Sequence, residues 1–362
     1  MSRSTFVPLL ISEIRDLTPN AYTLFFEKPD GGGFDYKPGQ YLTLEVVHKG
    51  EKHRRAYSLS SSPYLDDRLA VTIKREPEGL VSNLLRDVFQ AGDEIRCLPP
   101  RGNFTTKLRA ERPKHYMLIG AGSGITPLMS ILRSVLAAEP ESEVSLWYGS
   151  RNRQEIIFRE ELGRLTEQFP ERLHVMHSLS QPEDDWKGYR GRLTQERIYD
   201  LVSEVFMTSE LPKVYYLCGP RGLMDAAEAA LDKHSVNFND VHRENFNVPL
   251  PETEPSESDQ PIQATSSRPE LTEQQVVILL HGERTELTVK AEESILEAAI
   301  MADLDPPFAC QGGICTSCQA RLKRGKVYMD RNDALSQEEL DQGYILTCQS
   351  HPTTDDVEVE YE

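Results

Sequence analysis

Four cysteines in the last part of the chain have the spacing of an iron–sulfur ligand set. The stretch Ala309–Gln319 reads ACQGGICTSCQ, so four residues separate Cys310 from Cys315 and two separate Cys315 from Cys318. Cys348 follows after twenty-nine further residues. Three thiolates on one glycine-rich loop and a distant fourth are the ligand pattern of a 2Fe–2S cluster. A structural zinc site and unrelated core cysteines are the alternatives, although zinc usually takes paired ligands with short spacings.

The residues between these cysteines suit a loop that wraps around an anionic cluster. Gly312 and Gly313 are expected to adopt positive φ, so that backbone amides point inward at the sulfur atoms. Thr316 and Ser317 could add hydroxyl donors. The sequence therefore predicts that the loop itself supplies both the ligands and the hydrogen bonds that support them.

A second group of residues could bind a phosphate and a flat ring. Arg55-Ala56-Tyr57-Ser58 places a cation, an aromatic ring and a hydroxyl along one predicted strand, where alternate side chains share a face. Further on, Gly79 and Ser82 stand at the start of a predicted helix from Ser82 to Phe89, and a helix N-terminus attracts anions. The plainer alternatives are a surface charge at Arg55 and a simple N-cap at Ser82.

A third group has the pattern of a nucleotide cradle. The apolar run at 116–119 enters Gly120-Ala121-Gly122-Ser123-Gly124-Ile125-Thr126-Pro127, and a helix is predicted from Pro127 to Ala138 with Thr126 as its cap. The next predicted strand ends at Ser150-Arg151, and Arg151, with Arg153 and Arg159 close behind, fits a 2′-phosphate and therefore favours NADPH over NADH. A solvated basic loop is the alternative.

The elements that must position these residues fall into four segments. Residues 1–110 contain short alternating strands and turns, which predict an antiparallel β-barrel. Residues 111–248 alternate strands with helices, and the strand at 214–217 leads into Cys218-Gly219-Pro220, where a ligand crevice is expected. Residues 249–270 hold five prolines and no aromatic residue, which predicts a flexible linker. Residues 271–362 begin with a predicted hairpin and a helix at 295–301 capped by Ser294.

Composition limits the classes of partner. The chain has 362 residues and a formal net charge of −18, and residues 271–362 hold 18 acidic and 7 basic side chains. This acidity argues against nucleic-acid binding and favours docking of a basic partner, with solubility alone as the alternative. No apolar run approaches the ~18 residues of a membrane span, and no signal peptide is recognisable. Cys97 and Cys218, the cysteines outside the cluster set, lie far apart, so a reducing cytoplasm is the expected location.

The motifs RAYSLS, GLVS, GAGSGITP and CGP occur in an order that resembles the ferredoxin–NADP reductase superfamily. The C-terminal part resembles a plant-type ferredoxin domain, and YGSR, HRENFN and ESILEAA extend the likeness along the chain. Within the superfamily, the chain is similar to the reductase components of bacterial phenylacetyl-CoA epoxidases. The resemblance implies a multidomain protein with an antiparallel β-barrel FAD domain, an α/β parallel-sheet NADP domain and an α+β domain of the β-grasp type.

The same resemblance implies a role for particular residues. Arg55 would bind the FAD pyrophosphate, Tyr57 would pack on the isoalloxazine and Ser58 would approach flavin N5. The residues implied to bind phosphates are Gly79 and Ser82 for FAD, Gly122, Gly124 and Thr126 for NADPH, and Ser150 with Arg151 for the 2′-phosphate. Cys218 would lie near the nicotinamide, and Glu244 and Phe246 would close the flavin site.

Electron counting then suggests the direction of transfer. NADPH gives up two electrons as a hydride and a 2Fe–2S cluster takes one, so a flavin is needed between them. The expected acceptor is an oxygenase, namely the di-iron phenylacetyl-CoA epoxidase, with a Rieske-type oxygenase or an acyl desaturase as alternatives. An iron–sulfur redox sensor is a further interpretation. Cys348-Gln349-Ser350-His351 also imitates half of a Rieske site, but the other half is missing, and His351 is expected to be a surface residue. The linker is expected to let the cluster domain visit two positions, one at the flavin and one at the partner.

Overall fold

The first strands of the chain form an antiparallel barrel. A computed structural model describes residues 5–29, 34–246 and 269–361, and its first sheet has the order β4-β3-β6-β1-β2-β5. These strands are β1 Val7–Thr18, β2 Ala21–Phe26, β3 Tyr41–His48, β4 Glu51–Ser58, β5 Leu69–Lys74 and β6 Glu94–Arg101. An antiparallel bridge between Leu59 and Val71 joins the end of β4 to β5 and closes the barrel. Buried aliphatic and aromatic side chains such as Leu24, Leu42 and Leu44 fill its interior.

In its described residues the barrel carries one helix, and the start of this helix differs from the prediction. The helix α1 spans Leu80–Asp87 and therefore begins two residues before the expected Ser82. Gly79 is the N-cap, with an extended backbone and no side chain to cap the first turn. A glycine cap carries no side-chain signal, which is why the nearby serine looked like the cap in the sequence.

The middle of the chain forms a parallel sheet covered by helices on both faces. Its order is β10-β9-β8-β7-β11-β12, and every neighbouring pair is parallel. The elements are β7 His115–Ala121, α2 Ile125–Ala138, β8 Glu143–Ser150, α3 Arg159–Gln168, β9 Leu173–Leu179, β10 Tyr189–Arg190, α4 Gln195–Thr208, β11 Lys213–Cys218, α5 Arg221–Lys233 and β12 Val241–Glu244. The strand order reverses between β7 and β11, and a ligand crevice is expected at such a point.

The start of α2 also corrects the prediction. The helix begins at Ile125, after a 3₁₀ turn at Gly122–Gly124, so Thr126 lies inside it. The Thr126 hydroxyl donates to the Ser123 carbonyl at 3.0 Å and does not cap the helix. Gly124 is the N-cap, because a β-carbon there would lie 2.0 Å from the carbonyl oxygen of Cys218. Close packing of the strand ends therefore sets this boundary.

The last described part of the chain folds around a five-stranded mixed sheet with the order β14-β13-β19-β15-β17. Its elements are β13 Gln274–Leu280, β14 Glu283–Val289, α6 Ile295–Met301, β15 Gln319–Arg324, β16 Val327–Met329, α7 Gln337–Asp341, β17 Tyr344–Leu346, β18 Ser350–Pro352 and β19 Val357–Glu360. The predicted hairpin and the helix capped by Ser294 are confirmed, and Ser294 forms a capping box with Glu297. The multidomain architecture of barrel, parallel sheet and α+β unit is thus the predicted one.

Two findings concern the connections and the surface. The predicted linker, residues 249–270, lies outside the described residues except for positions 269 and 270. None of the helices in the described segments combines the length and apolar character that a membrane span requires.

Candidate functional site

The four cysteines lie in two pairs. The Sγ atoms of Cys310 and Cys315 are 3.1 Å apart. The neighbouring Cys348 thiol, together with burial, raises the pKa of Cys318, so these two cysteines form the second pair. In a 2Fe–2S cluster each iron takes two cysteine ligands, so this two-and-two arrangement fits such a cluster. Across residues 5–29, 34–246 and 269–361, no three His, Cys, Asp or Glu side chains converge on a single metal ion. The pairing therefore agrees with the cluster better than with a one-ion zinc site.

The loop stabilises the anionic form of one ligand. The backbone amide of Gly312 donates to Cys310 Sγ at 3.4 Å. The pKa of Cys310 is lowered to about 6. The hydrogen bond from the Cys315 thiol is the main cause, and the backbone amides of Gly312 and Ile314 add to it, whereas burial opposes it. A thiolate is the form of cysteine that binds iron, so these donors suit the predicted role.

The backbone curl of the loop differs in detail from the prediction. Positive φ occurs at Gln311 and Gly313, with values of 55° and 73°, rather than at Gly312. A β-carbon on Gly313 would lie 3.0 Å from the Arg331 carbonyl oxygen, so a glycine is needed there for close approach as well as for its φ.

The fourth ligand is held against the loop by residues that the sequence did not indicate. The Thr347 hydroxyl, next to Cys348, donates to the carbonyl of Cys318 at 2.9 Å. The Tyr361 hydroxyl donates to Thr347 Oγ1 at 2.9 Å. Thr347 and Tyr361 therefore connect the segment that carries Cys348 to Cys318.

The cysteine loop lies on the outer face of the barrel. Tyr41 on β3 accepts a hydrogen bond from the Thr316 amide at 2.9 Å, and Thr43 shares one with Ser317 at 2.9 Å. Thr316 and Ser317, expected to serve the cluster, thus also face the barrel. An apolar contact joins the two parts, and its members are Tyr41, Ala56, Ala309, Cys310 and Cys315.

The strand β4 has one face toward this loop and the other toward the predicted flavin residues. Ala56 pairs with Thr43 and shares its face, which the cysteine loop covers. Arg55 and Tyr57 lie on the opposite face, since side chains alternate along a strand. One strand therefore separates Arg55 and Tyr57 from the cluster ligands. The expectation that the Ser58 hydroxyl shares their face is wrong, because Ser58 alternates with Tyr57 and lies on the side of Ala56.

Three residues with predicted roles at the flavin converge. Cys218 and Glu244 are paired neighbours on β11 and β12, and the Ser58 hydroxyl at the end of β4 donates to Glu244 Oε2 at 3.2 Å. Burial raises the pKa of Glu244 to about 8, and the Ser58 hydrogen bond opposes this only partly. Burial, followed by the charge of Glu244, also raises the pKa of Cys218. The arrangement can hold a neutral carboxyl group beside a buried thiol and a hydroxyl.

The predicted anion sites on the barrel and on the parallel sheet lie at helix starts. A β-carbon on Gly79 would lie 2.7 Å from Ser82 Oγ, and the Ser82 hydroxyl accepts from the Glu76 amide at 3.2 Å. Gly122 has a φ of 57°, and its carbonyl accepts from the Tyr148 hydroxyl at 2.9 Å. The first turns of α1 and α2 therefore keep backbone amides available to an anion.

Lys74 is a candidate that the sequence analysis missed. Its ammonium nitrogen lies 3.8 Å from Glu155 Oε2, and a β-carbon on Gly122 would lie 3.9 Å from the same nitrogen. The last residue of β5 thus brings a cation from the barrel to the glycine loop of the parallel sheet. Only the fold could reveal this, because about fifty residues separate the two in sequence.

The predicted 2′-phosphate residues have different surroundings. The Ser150 hydroxyl is buried and has no hydrogen-bond partner among the described residues, whereas Arg151 is exposed. Arg153 is occupied, since it pairs with Asp185 at 3.0 Å and lies over the Trp186 ring at 5.6 Å. An unpaired buried hydroxyl costs free energy, so a ligand oxygen at Ser150 would relieve that cost.

The sequence predicts a role at the flavin for Phe246 and a surface position for His351. Phe246 follows β12 by two residues and remains 38% exposed, so its side chain is open to a ligand. The expectation that His351 lies on the surface is wrong, because the side chain is buried. It contacts Asp330 Oδ2 at 2.8 Å and the Glu293 carbonyl at 3.1 Å, which is a structural arrangement within the last domain.

Comparison with protein families gives one match for each part of the chain. Residues 8–106 match the model described as "Oxidoreductase FAD-binding domain". Residues 118–229 match "Oxidoreductase NAD-binding domain", and residues 278–353 match "2Fe-2S iron-sulfur cluster binding domain". The order agrees with the order of the predicted sites along the chain.

Two relatives match almost the whole chain. One subunit of the 1,2-phenylacetyl-CoA epoxidase of Escherichia coli (strain K12) is 34% identical, over 99% of this chain and 98% of the relative. The ferredoxin reductase component of 3-ketosteroid-9-alpha-monooxygenase from Mycobacterium tuberculosis (strain CDC 1551 / Oshkosh) is 37% identical, over 98% of this chain and 95% of the relative. Matches of this length and identity show common descent of all three parts together.

A solved structure has the same arrangement of parts. Phthalate dioxygenase reductase, a modular structure for electron transfer from pyridine nucleotides to [2Fe-2S], matches with a TM-score of 0.59 over 98% of both chains. At 24% identity, this likeness supports the fold alone.

Proposed function

This chain belongs to the ferredoxin–NADP reductase superfamily and carries a plant-type 2Fe–2S domain, and from that premise we propose that it is the NADPH-dependent reductase component of an oxygenase system. It is an NAD(P)H-dependent oxidoreductase, and when bound, FAD would supply the conversion between two-electron and one-electron chemistry. The observation that carries the proposal is the position of β4, which has Arg55 and Tyr57 on one face and the cysteine loop against the other.

In the proposed site, each group of residues has one task. Arg55 and the first turn of α1 at Gly79 and Ser82 bind the FAD pyrophosphate, and Tyr57 packs on the ring. Ser58 and Glu244 line the reactive edge of the flavin, with Cys218 beside the nicotinamide and Phe246 closing the site. The fit is supported by the Ser58–Glu244 hydrogen bond at 3.2 Å and by the exposure of Phe246.

We propose NADPH as the preferred electron donor. Gly122, Gly124 and Thr126 at the start of α2 bind the pyrophosphate, and Ser150 with Arg151 bind the 2′-phosphate. The support is the buried Ser150 hydroxyl, which finds no partner among the described residues, together with the exposed Arg151 next to it. Arg153 is left out of the proposed phosphate site because Asp185 already neutralises it.

The proposed electron acceptor is the oxygenase component of a phenylacetyl-CoA epoxidase. Support comes from the full-length match to a subunit of that enzyme in Escherichia coli. A steroid monooxygenase is the second candidate, because the Mycobacterium tuberculosis reductase component matches with a slightly higher identity of 37%. The six cysteines are free thiols, and a cytoplasmic location would keep the four proposed ligands reduced until iron binds.

Reconstitution tests the proposed function and separates the two partners. The purified holoprotein should show the absorption of flavin together with a 2Fe–2S cluster and should reduce ferricyanide with NADPH. Mixed with purified phenylacetyl-CoA epoxidase oxygenase, it should support product formation that consumes NADPH, and a steroid monooxygenase oxygenase serves as the matched comparison. Turnover with the steroid oxygenase alone would favour the second candidate. Absence of flavin or cluster from the natively purified protein would refute the proposed function.

A further inference from the structure

One arginine joins the barrel to the cluster domain. Arg54 on β4 is fully buried, and its Nε donates to Glu45 Oε2 at 2.8 Å within the barrel. Its Nη1 donates to the Pro306 carbonyl at 2.7 Å, and its Nη2 donates to Asp305 Oδ1 at 2.5 Å. The two acceptors at 305 and 306 lie just before the cysteine loop. A single cation is therefore shared between the two parts of the chain.

Aromatic rings hold the Arg54 guanidinium in this position. Phe6 of the barrel lies 4.4 Å from it on one side, and Phe308 of the cluster domain lies 4.6 Å from it on the other. Phe308 stands two residues before Cys310. The contact thus acts on the segment that carries the first cluster ligand.

The charges of this contact are unevenly divided between the two parts. Glu45 accepts hydrogen bonds from both Arg54 and Arg96, and Lys52 adds a third cation, so this part of the barrel has two more cations than anions. Asp305 supplies one negative charge to this group, since it pairs with Arg54 and, at 2.7 Å, with Lys52. The barrel therefore presents a group of cations, and the cluster domain presents the Asp305 carboxylate to them.

Half of this ion-pair group is exposed to solvent and the other half is buried. The side chains of Asp305 and Lys52 are 50% and 44% exposed, whereas those of Arg54 and Glu45 are 0% and 1% exposed. If Asp305 left, Arg54 would keep Glu45 as a counterion, so the barrel would not be left with an uncompensated buried charge. The exposed half can be screened by salt, and the buried half persists.

We propose that Arg54, Lys52 and Asp305 form a salt-sensitive latch that positions the cysteine loop on β4 while an electron passes from flavin to cluster. This inference rests on the proposed function. The three residues are positioning residues, since none of them is among the residues proposed to bind the flavin and none is a proposed cluster ligand. Engagement of the latch keeps the Cys310–Cys315 pair against Ala56, and its release lets the loop leave the barrel.

The test compares two matched substitutions in the full-length holoprotein. Asp305→Asn keeps the shape of the side chain and removes its charge. Asp303→Asn removes a charge from an exposed neighbour whose φ of 58° asparagine tolerates. Anaerobic stopped-flow mixing with NADPH then follows flavin reduction by absorbance and cluster reduction by rapid-freeze electron paramagnetic resonance, at about 50 mM and about 500 mM salt.

The latch predicts a selective change. Asp305→Asn should slow cluster reduction about fivefold at low salt, as expected for loss of a half-exposed ion pair, and leave flavin reduction unchanged. Salt should slow cluster reduction in the wild type and in Asp303→Asn but have little further effect on Asp305→Asn. Asp305→Glu should restore most of the rate and its salt dependence.

Two results would overturn the latch. One is a rate and salt dependence of cluster reduction in Asp305→Asn equal to those of the wild type. The other is an equal loss of flavin reduction, which would show that Asp305 supports folding and not docking. Failure of NADPH to reduce the flavin of the wild type would instead count against the proposed function, so the two failures are distinguishable.

Discussion

The wild-type protein should become less stable as the pH rises from about 4.5 to about 8, and the substitution Glu244→Gln should remove this loss. Burial raises the pKa of Glu244 to about 8, from an ordinary value of 4.5. Between these two values the unfolded chain releases the Glu244 proton, while the folded chain retains it. The free energy of unfolding therefore decreases as pH rises from about 4.5 to about 8, and Glu244 makes no such contribution at lower pH.

The size of this effect follows from the pKa difference between the folded and unfolded states. Each pH unit of difference corresponds to about 1.36 kcal/mol, which sets an upper bound of about 5 kcal/mol over the whole window. The Glu244 side chain is only half-buried by its accessible surface, so nearby water lowers the cost of ionising it. We therefore expect a decrease of about 2–3 kcal/mol in the wild type that Glu244→Gln does not show.

Urea unfolding of the wild type and of Glu244→Gln at about pH 5 and about pH 8 measures how much the free energy of unfolding of each protein changes with pH. Both tryptophans of the chain, Trp147 and Trp186, lie in the parallel-sheet domain that contains Glu244, so their fluorescence reports on its unfolding. Glu210→Gln, at an exposed position of the same domain, is the control for removal of a carboxylate. If Glu244→Gln and the wild type lose the same free energy between the two pH values, the raised pKa of Glu244 is wrong.

Four further substitutions test the other parts of the site. Cys315→Ser should remove the cluster and its reduction of cytochrome c while NADPH still reduces the flavin; loss of flavin reduction in a folded variant would contradict separate sites. Arg151→Ala should raise the KM for NADPH by one to two decades, from the loss of roughly 1.5–3 kcal/mol, and leave that for NADH nearly unchanged. Lys74→Met should raise the KM for NADPH and for NADH alike, because this cation lies beside the glycine loop proposed to bind the pyrophosphate that both nucleotides share. A wild type that prefers NADH would refute the assignment of Arg151 to the 2′-phosphate. Gly124→Ala should weaken nucleotide binding in a titration, because its β-carbon would lie 2.0 Å from the Cys218 carbonyl oxygen; unchanged affinity would contradict the close packing of the strand ends.

Local patterns in the sequence were sufficient to predict the architecture, and the roles of the site residues stay predictions. The cysteine spacing predicted a ligand set that the fold brings together in two pairs. The helix starts were predicted two residues late at α1 and at α2, because Gly79 and Gly124 are the N-caps and offer no side-chain signal. Ser82 and Thr126 are typical capping residues, and both instead lie within their helices.

Contacts between distant parts of the chain could not be predicted in this way. Tyr41 and Thr43 look like ordinary strand residues, yet their hydroxyls bind the cysteine loop more than 250 positions later. Arg54 is adjacent to the predicted flavin residue Arg55, but the alternation of the strand turns it toward the cluster domain. Only the pairing of β3 with β4, and the placement of the last domain on them, gives these side chains a function.

Glu45 and Glu244 show why residue type alone does not define a site. Glu45 is buried between Arg54 and Arg96, at 2.7 Å from each, so its charge is balanced and its removal would leave a buried arginine without its counterion. Within the described part of the chain, the hydrogen-bond partner of the Glu244 carboxyl is the Ser58 hydroxyl and no cation pairs with it, so its charge is costly and its neutral form is favoured. A glutamate at position 45 thus stabilises the contact between the barrel and the cluster domain. At position 244 the charge of a glutamate destabilises the proposed flavin site. Glutamine at position 244 is therefore expected to increase stability at about pH 8, because it fills the same space without a charge to bury.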